Sequence, residues 1–433
     1  MTGPNDTAAA TRPHPEAADG TVVTVGAVAH GGHCVARDDG HVVFVRHALP
    51  GEVVRIKVTE VGRGFLRADA VEILEPSPER VGPPCPYAGP GACGGCDFQH
   101  VSPAGQRRLK ADVVVEQLTR VAGRPDLPVT VLPLPGGALG WRTRVQYAAD
   151  ADGVLGLRRH RSHDVVPVDR CLIAHPDIQG LDLTTERWPE GAIVEAVRPA
   201  VGDPVVLRWP VRGGTDRSVR VGRWHGRPNQ GRHPSAAMVT ERAVDREFTI
   251  GADGFWQVHP AAADALAAAV VDLLGPRPGE RAWDLYGGAG LFAAALSGPL
   301  GPSGRVTVVE SDPRGAASAR RSLADLPGVR VVRADVAVAL ANPRWRSVDL
   351  VVVDPPRSGL GGEVLRPTAA LSPRAVGYVS CDPATFARDV QTFATVGYRL
   401  ETVRAFDAFP MTQHVELVGL LVAVSGAPSG SVD

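Results

Sequence analysis

Five short apolar runs in the C-terminal half restrict the fold more than any other feature: residues 282–286, 305–310, 330–335, 348–354 and 375–379. They are continuous rather than alternating, as in strands buried on both faces of a parallel sheet. Helix-like segments separate them, so 248–424 is predicted to form an α/β domain of the doubly wound, Rossmann-like type. The last run leads into Ser380-Cys381-Asp382-Pro383. Asp382 is a good helix N-cap and Pro383 a good first helical residue. Cys381 is thus expected at the carboxyl end of a strand, just before a helix N-terminus. A helix dipole lowers a thiol pKa there, and open α/β sheets bind their ligands along that edge. A lone cysteine is more often a buried structural residue, but its neighbours here favour chemistry.

The first run is followed by Gly287-Gly288-Ala289-Gly290, where the missing side chains permit close backbone approach to a ligand. The second run ends in Glu310, a carboxylate suited to both hydroxyls of a ribose. The third ends in Asp335 and the fourth in Asp354-Pro355-Pro356-Arg357. This order resembles that of class I S-adenosylmethionine-dependent methyltransferases. A nicotinamide dehydrogenase shares the first two signals but not the Asp-Pro-Pro strand end. The resemblance implies that Glu310 takes the ribose, Asp335 the adenine edge, and Tyr286 and Asp354 the methionine and target side. For Asp335 a simple loop acid is the alternative.

Ahead of this domain, 21–74 alternates in a strand-like way, with turns at Gly31-Gly32, Asp39-Gly40 and Pro50-Gly51. A five-stranded barrel of the OB type is predicted. Gly31-Gly32-His33-Cys34-Val35-Ala36-Arg37 and the strand and turn after it resemble the TRAM domain of RNA-modifying enzymes. Arg37, Arg46, His47, Arg55, Lys57 and Arg63 are candidates for an RNA-facing patch, a solvated barrel face being the alternative, and Cys34 reads as core. Next come Cys85, Cys93-Gly94-Gly95-Cys96 and, much later, Cys171. Four thiolates suit zinc or an iron–sulfur cluster. A single Cys-x2-Cys unit with a distant fourth cysteine is more like a cluster. A helix is predicted over 106–122 and a hairpin over 141–157. Arg142, Arg144, Arg158, Arg159, His160 and Arg161 make the most basic stretch, where strand-bound arginines could hold phosphates. An exposed salt-bridging face is the alternative. Residues 202–246 carry no readable chemistry.

Cys93-Gly94-Gly95-Cys96-Asp97-Phe98-Gln99-His100, with Cys85 upstream, looks like the [4Fe–4S] motif of the RNA 5-methyluridine (uracil-C5) methyltransferase family. Cys171 matches that family's fourth ligand, and the loop between Cys85 and Cys93 is longer than the family's. Phe255-Trp256-Gln257-Val258-His259 is similar to the family's Phe-x-Gln-x-Asn element, with Gln257 as a cofactor contact and His259 departing from Asn. The glycine-rich turn lacks the cysteine that usually follows Tyr286, and Ser-Cys-Asp-Pro replaces Ser-Cys-Asn-Pro. Phe409-Pro410-Met411-Thr412-Gln413-His414-Val415-Glu416 resembles the terminal motif that ends in the general base. The resemblance implies that Cys381 attacks C6 of uracil, that C5 then accepts the methyl group, and that Glu416 removes the C5 proton. Burial beside Val415 and Leu417 is expected to raise the Glu416 pKa. Asp382 is expected to raise the thiol pKa unless it caps the helix and points away.

Composition sets the remaining bounds. Lys plus Arg number 46 against 47 Asp plus Glu, so RNA binding must rest on local patches rather than a global field. No apolar run has the length of a membrane span, and 1–20 has no signal-like core and reads as a disordered tail, like 425–433. Six cysteines, four with ligand-like spacing, suggest a reducing cytoplasmic setting. The expected organisation is therefore a barrel at 21–78, a central metal-holding domain at 79–247 and a methyltransferase domain at 248–424. The protein is expected to be a monomer acting on ribosomal rather than transfer RNA. A non-catalytic RNA-binding protein and a cytosine-C5 methyltransferase are the competing functions. The intact Cys381, Glu416, Gln257 and Asp354 disfavour the first, and the ending at Glu416 the second.

Overall fold

The computed structural model describes residues 20–209, 218–221, 237–342 and 348–424. The expected terminal tails thus lie outside the described residues, apart from Gly20. The chain divides into two compact units, Met1–Arg80 and Val81–Asp433, where the sequence predicts three folded domains.

The first unit is built from β1 (Val22–Thr24), β2 (Val28–Ala29), β3 (His33–Asp38), β4 (His41–Arg46), β5 (Val53–Gly62) and β6 (Phe65–Glu75). They form a six-stranded sheet in the order β1-β5-β6-β4-β3-β2, one strand more than predicted. Gly26 N–H donates to the Val35 carbonyl and Val35 N–H to that of Ala27, which ties the chain after β1 to β3 and curls the sheet. Alternation puts Val43, Val45, Val54, Ile56, Leu66 and Ala68 inside. Cys34 is core, as expected. Its thiol faces the Ala48 carbonyl, and burial pushes its pKa up to about 12. Glu52 is fully buried and accepts from Arg80 through both carboxylate oxygens at 2.6 Å, and from the Leu49 and Ser77 amides. Burial alone would raise its pKa, but these donors outweigh burial and hold it low. Of the predicted patch, Arg37, Lys57 and Arg63 are exposed, whereas Arg55 is bonded to Glu72 and the Gly20 carbonyl.

The second unit opens with α1 (Pro103–Arg120), where the sequence predicts a helix over 106–122. Ser102 Oγ caps it by accepting from Gly105 N–H. β7 (Val131–Pro133) follows, then β8 (Arg144–Ala149), β9 (Leu155–Arg158), β10 (Val165–Pro167), α2 (Pro176–Gln179), β11 (Ile193–Val197), β12 (Val205–Trp209) and β13 (Ser218–Val221). β8 and β9 form the predicted hairpin within an antiparallel sheet of order β10-β9-β8-β11-β12-β13. β14 (Met238–Ala243) and β15 (Arg246–Gly251) make a separate hairpin. The remaining elements are α3 (Ala262–Leu274), β16 (Arg281–Leu285), α4 (Leu291–Leu300), β17 (Arg305–Glu310), α5 (Pro313–Ser322), β18 (Val329–Arg333), α6 (Val336–Leu340), β19 (Leu350–Val353), α7 (Gly362–Ala370), β20 (Ala375–Ser380), α8 (Pro383–Thr395), β21 (Tyr398–Asp407) and β22 (Glu416–Ala423).

Their strands form one sheet in the order β18-β17-β16-β19-β20-β22-β21-β7. The first five are parallel and β22 runs antiparallel to β20. This is the Rossmann-like methyltransferase architecture. The order reverses at β16, whose neighbours are β17 and β19, so the ligand crevice opens at their carboxyl ends. β7 pairs with β21 through Val131 and Ala405, so the predicted central domain contributes a strand to the catalytic sheet and is not a separate body. α8 shows how the sequence drives packing. Its Phe386, Val390 and Phe393 repeat at helical spacing, and all are buried. Gly419 on β22 leaves room for the Phe386 ring, since a Cβ there would meet it at 2.6 Å. Among the described residues no helix is long and apolar enough to cross a membrane.

Candidate active site

One cavity of about 790 Å³ is lined by Gln257, Tyr286, Glu310, Asp354, Cys381 and Glu416, six of the seven candidates for cofactor and catalysis. Asp335 is the exception. It does not line the cavity but is exposed and caps α6, accepting from Val338 N–H at 3.2 Å.

The cofactor end is built locally. β16 ends at Leu285, and Tyr286 takes φ +62°, a left-handed conformation that the sequence does not announce. Gly290 needs both its φ of +91° and its missing side chain, because a Cβ would come within 2.4 Å of Leu323 Cδ1. Glu310 at the end of β17 accepts from Gly288 N–H at 2.8 Å and Asp312 N–H at 2.6 Å, which fixes its carboxylate over the turn. Asp284 beneath is fully buried, and desolvation pushes its pKa up to about 7 despite a bond from Ala293 N–H. Arg314, paired with Asp253, also lines this end, and no sequence signal marks either residue.

The target end gathers remote segments. Asp382 caps α8 as predicted, its Oδ1 accepting from Thr385 N–H at 2.8 Å. The carboxylate is thus turned into the helix, the orientation expected to spare the neighbouring thiol. The thiol pKa is nevertheless not lowered, contrary to the expectation from the helix terminus. Burial first, then the nearby Glu416 and Asp354, push Cys381 up to about 11, against the pull of Arg357, whose guanidinium hydrogen-bonds the thiol. Desolvation in a pocket with two carboxyls outweighs the helix terminus. Glu416 is itself 5% exposed, and burial followed by Asp354 holds it well above the ordinary carboxylate range, the direction expected. Burial also pushes Asp354 up to about 7. His414 is driven down to about 4 by burial and by the cations Arg357, Lys110 and Arg142, so it is neutral at neutral pH.

Arg357 is visible in the sequence only as the residue after Asp-Pro-Pro. Its loop is anchored by Asp389, whose Oδ2 accepts from Leu360 N–H and Tyr378 OH, both at 2.7 Å. His259, in place of the family's Asn, is buried and stacks on Trp141 with ring centroids 5.9 Å apart. Nδ1 of His259 accepts from Ala261 N–H. Burial lowers its pKa, so it fills the position as a neutral ring.

Cys85, Cys93, Cys96 and Cys171 line a second cavity of about 350 Å³. Gly95 N–H points at Cys93 Sγ at 3.4 Å, and Gly94 packs so closely on the His160 backbone that a Cβ would lie 2.3 Å from its nitrogen. Among the described residues no three His, Cys, Asp or Glu side chains stand close enough to hold one metal ion. A tetrahedral zinc needs each sulfur about 2.3 Å from one point. The four thiols line one cavity wall. Arg158, Arg159, His160 and Arg161 line this cavity, and Arg142 lines both. Arg144, a candidate phosphate contact by its sequence, is instead largely covered and donates to the Ala252 carbonyl.

Comparison with known proteins identifies the family. A model of the TRAM domain matches residues 21–71. One described as tRNA (Uracil-5-)-methyltransferase matches residues 339–424, which include Cys381 and Glu416. An uncharacterized RNA methyltransferase of Streptomyces coelicolor is 48% identical over 431 residues, 92% of each chain. The 23S rRNA (uracil(1939)-C(5))-methyltransferase RlmD of Alkalilimnicola ehrlichii is 34% identical over 430 residues, 91% of this chain and 94% of that one. Among solved structures, the tRNA (uracil-54, C5)-methyltransferase of Pyrococcus abyssi, in complex with S-adenosyl-L-homocysteine, superposes with a TM-score of 0.68. It covers 92% of this chain and 99% of its own at 23% identity, a likeness that speaks for the fold. With relatives this similar along nearly the whole chain, a TRAM domain in front and a Rossmann-like methyltransferase sheet behind, the chain belongs to the RNA uracil-C5 methyltransferase family.

Proposed function

We propose that the protein methylates C5 of a uridine in ribosomal RNA through a covalent adduct at Cys381. The observation that carries this reading is the single cavity shared by Cys381, Glu416, Asp354 and Glu310. S-adenosylmethionine, the methyl donor, supplies an electrophilic methyl group in that cavity. Glu310, Gln257 and Tyr286 hold it there, with Gly288 and Gly290 admitting it close to the backbone. Asp335 stands outside the cavity lining as a weaker candidate for the adenine edge.

Carbon 5 of uracil is too weak a nucleophile to take a methyl group unaided. Cys381 Sγ forms a bond to C6, and the displaced electron pair makes C5 nucleophilic. C5 takes the methyl group as the methyl–sulfur bond of the sulfonium breaks and a neutral thioether leaves, and the Glu416 carboxylate then accepts the C5 proton. The C5–C6 double bond then reforms and the thiolate leaves. Arg357 lowers the cost of the thiolate, and Asp354 lies beside both reacting groups. The target base must leave its stack to enter the cavity.

Ribosomal RNA is favoured because similar relatives are named 23S rRNA methyltransferases. The four cysteines are proposed to hold a [4Fe–4S] cluster with a structural task, zinc being the alternative, since the reaction needs no redox step. Protein purified without oxygen should be brown and carry iron rather than zinc.

The test is tritium release from RNA labelled at uridine C5, using ribosomal and transfer RNA in parallel. Release from ribosomal RNA by the wild type, absent in Cys381→Ala and Glu416→Gln, is the expected result. Folded protein that binds RNA but releases nothing would favour the non-catalytic reading. Release from transfer RNA alone would overturn the substrate choice.

A further inference from the structure

The catalytic loop, residues 407–415, runs from the end of β21 into Glu416. Its conformation is not self-supporting. Met411 sits at φ +68°, a left-handed conformation that a side-chain-bearing residue keeps only when its surroundings enforce it. Both of its backbone groups are held from outside the loop. Met411 N–H donates to Gln106 Oε1 at 2.8 Å, and its carbonyl accepts from Phe98 N–H at 2.9 Å. Two residues on, Gln413 N–H donates to Asp97 Oδ2 at 3.2 Å. Lys110, buried on α1, donates to the Phe409 carbonyl at 3.0 Å and to Asp407 at 2.5 Å. Two of these holds come from Asp97 and Phe98, directly after Cys96. The segment that frames the four-cysteine cavity therefore also grips the loop that delivers His414 and Glu416. Gly94, Gly95 and Arg142 line both cavities, so the two sites share a wall.

Cys381 is fixed by different means. It follows β20 and precedes Asp382, whose Oδ1 caps α8 by accepting from Thr385 N–H. Cys381 is thus placed by a strand end and a helix start, and Glu416 by a loop that Asp97, Phe98 and α1 hold.

We propose that Asp97 is a positioning residue for the general base: by accepting from Gln413 N–H it holds the loop that places Glu416, without acting on Cys381. The inference rests on the roles given above to Cys381 and Glu416. It follows that losing Asp97 slows removal of the C5 proton while leaving thiolate attack and methyl transfer intact. The methylated protein–RNA adduct then accumulates. Misplacing a reacting group by about 1 Å can cost about 10²-fold in rate.

The experiment follows, on the full chain, covalent protein–RNA complex on denaturing gels together with tritium release, using unmodified ribosomal RNA and S-adenosylmethionine. Asp97→Ala is expected to form adduct at the wild-type rate, to retain it, and to turn over about 10²-fold more slowly. Asp97→Asn keeps an acceptor for Gln413 N–H while losing the charge, and should recover most of the turnover. Hydrogen exchange over 409–416 should be faster in Asp97→Ala and wild-type-like in Asp97→Asn. If Asp97→Ala does not fold, Asp97→Ser, whose hydroxyl is too short to reach, takes its place with the same expectations. Adduct formation slowed as much as turnover, unchanged turnover, or no recovery in Asp97→Asn would each overturn the proposal. A wild type that neither forms adduct nor releases tritium would bring down the catalytic reading itself, which Cys381→Ala and Glu416→Gln controls separate from a fault at Asp97.

Discussion

The two ends of the 790 Å³ cavity are made in opposite ways. The cofactor end lies mostly within 284–315, where one strand, a glycine turn, a helix and the next strand meet through backbone hydrogen bonds to Glu310. The target end brings together Trp141 and Arg142, Asp354 to Arg357, Cys381, and Phe409 to Glu416. Its properties come from desolvation and mutual charge, as the raised Cys381 and Glu416 show. A local site depends on conformation and a composite one on supports far away in sequence. Substitutions at the two ends should therefore fail differently.

The strongest separation comes from Cys381→Ala. Methylation should fall by more than about 10⁴-fold, while calorimetry finds S-adenosylmethionine binding within about twofold of wild type, since the cofactor end is untouched. If cofactor affinity fell too, the two ends would not be independent. Glu310→Gln is the converse. It removes a charged acceptor worth about 1.5–3 kcal/mol, so the Kd for cofactor should rise roughly 10- to 100-fold, with kcat at saturating cofactor nearly unchanged.

Arg357→Gln probes electrostatics within the target end. In the proposed mechanism Cys381 and Glu416 must both lose a proton, and both sit above their ordinary values, so single-turnover rate in the wild type should climb with pH through the neutral range and towards about 11, the value to which the thiol is raised. Arg357 pulls the thiol down, so its loss moves the profile to higher pH. Each pH unit of that displacement should cost about tenfold in rate near pH 7. A lower rate with an undisplaced profile would assign Arg357 to RNA binding instead. The smallest effect is expected of Gly290→Ala, where φ is +91° and Leu323 is in the way. Urea unfolding should show a loss of about 1 kcal/mol or slightly more, together with weaker cofactor binding and unaltered thiol reactivity.

The difference between the two ends also decided what could be read in advance. The α/β pattern, the glycine turn, Glu310 at a strand end and the Asp382–Pro383 cap are consequences of neighbours in sequence, and each is present. The same reasoning misplaces what depends on distant packing. In α1, Lys110 reads as a polar surface residue, yet it is buried against Asp407, and Gln106 beside it holds Met411. Arg144 looks like its basic neighbours but faces inward. Asp335 ends an apolar run as Glu310 does, yet only Glu310 turns into the cavity, because β18 is the edge strand while β17 flanks the switch point.

The sequence by itself determined the strand order's raw material, the TRAM barrel, the glycine-rich turn and the pairing of a cysteine with a helix start. These follow from side-chain period, caps and backbone freedom, which act over a few residues. Only the tertiary structure decided that Val131 joins the catalytic sheet, that Arg357 meets the thiol, that Cys381 is raised rather than lowered, and that Asp97 reaches Gln413. Those outcomes depend on which charges share a water-poor space and which amides face each other across hundreds of residues, and no local pattern encodes either.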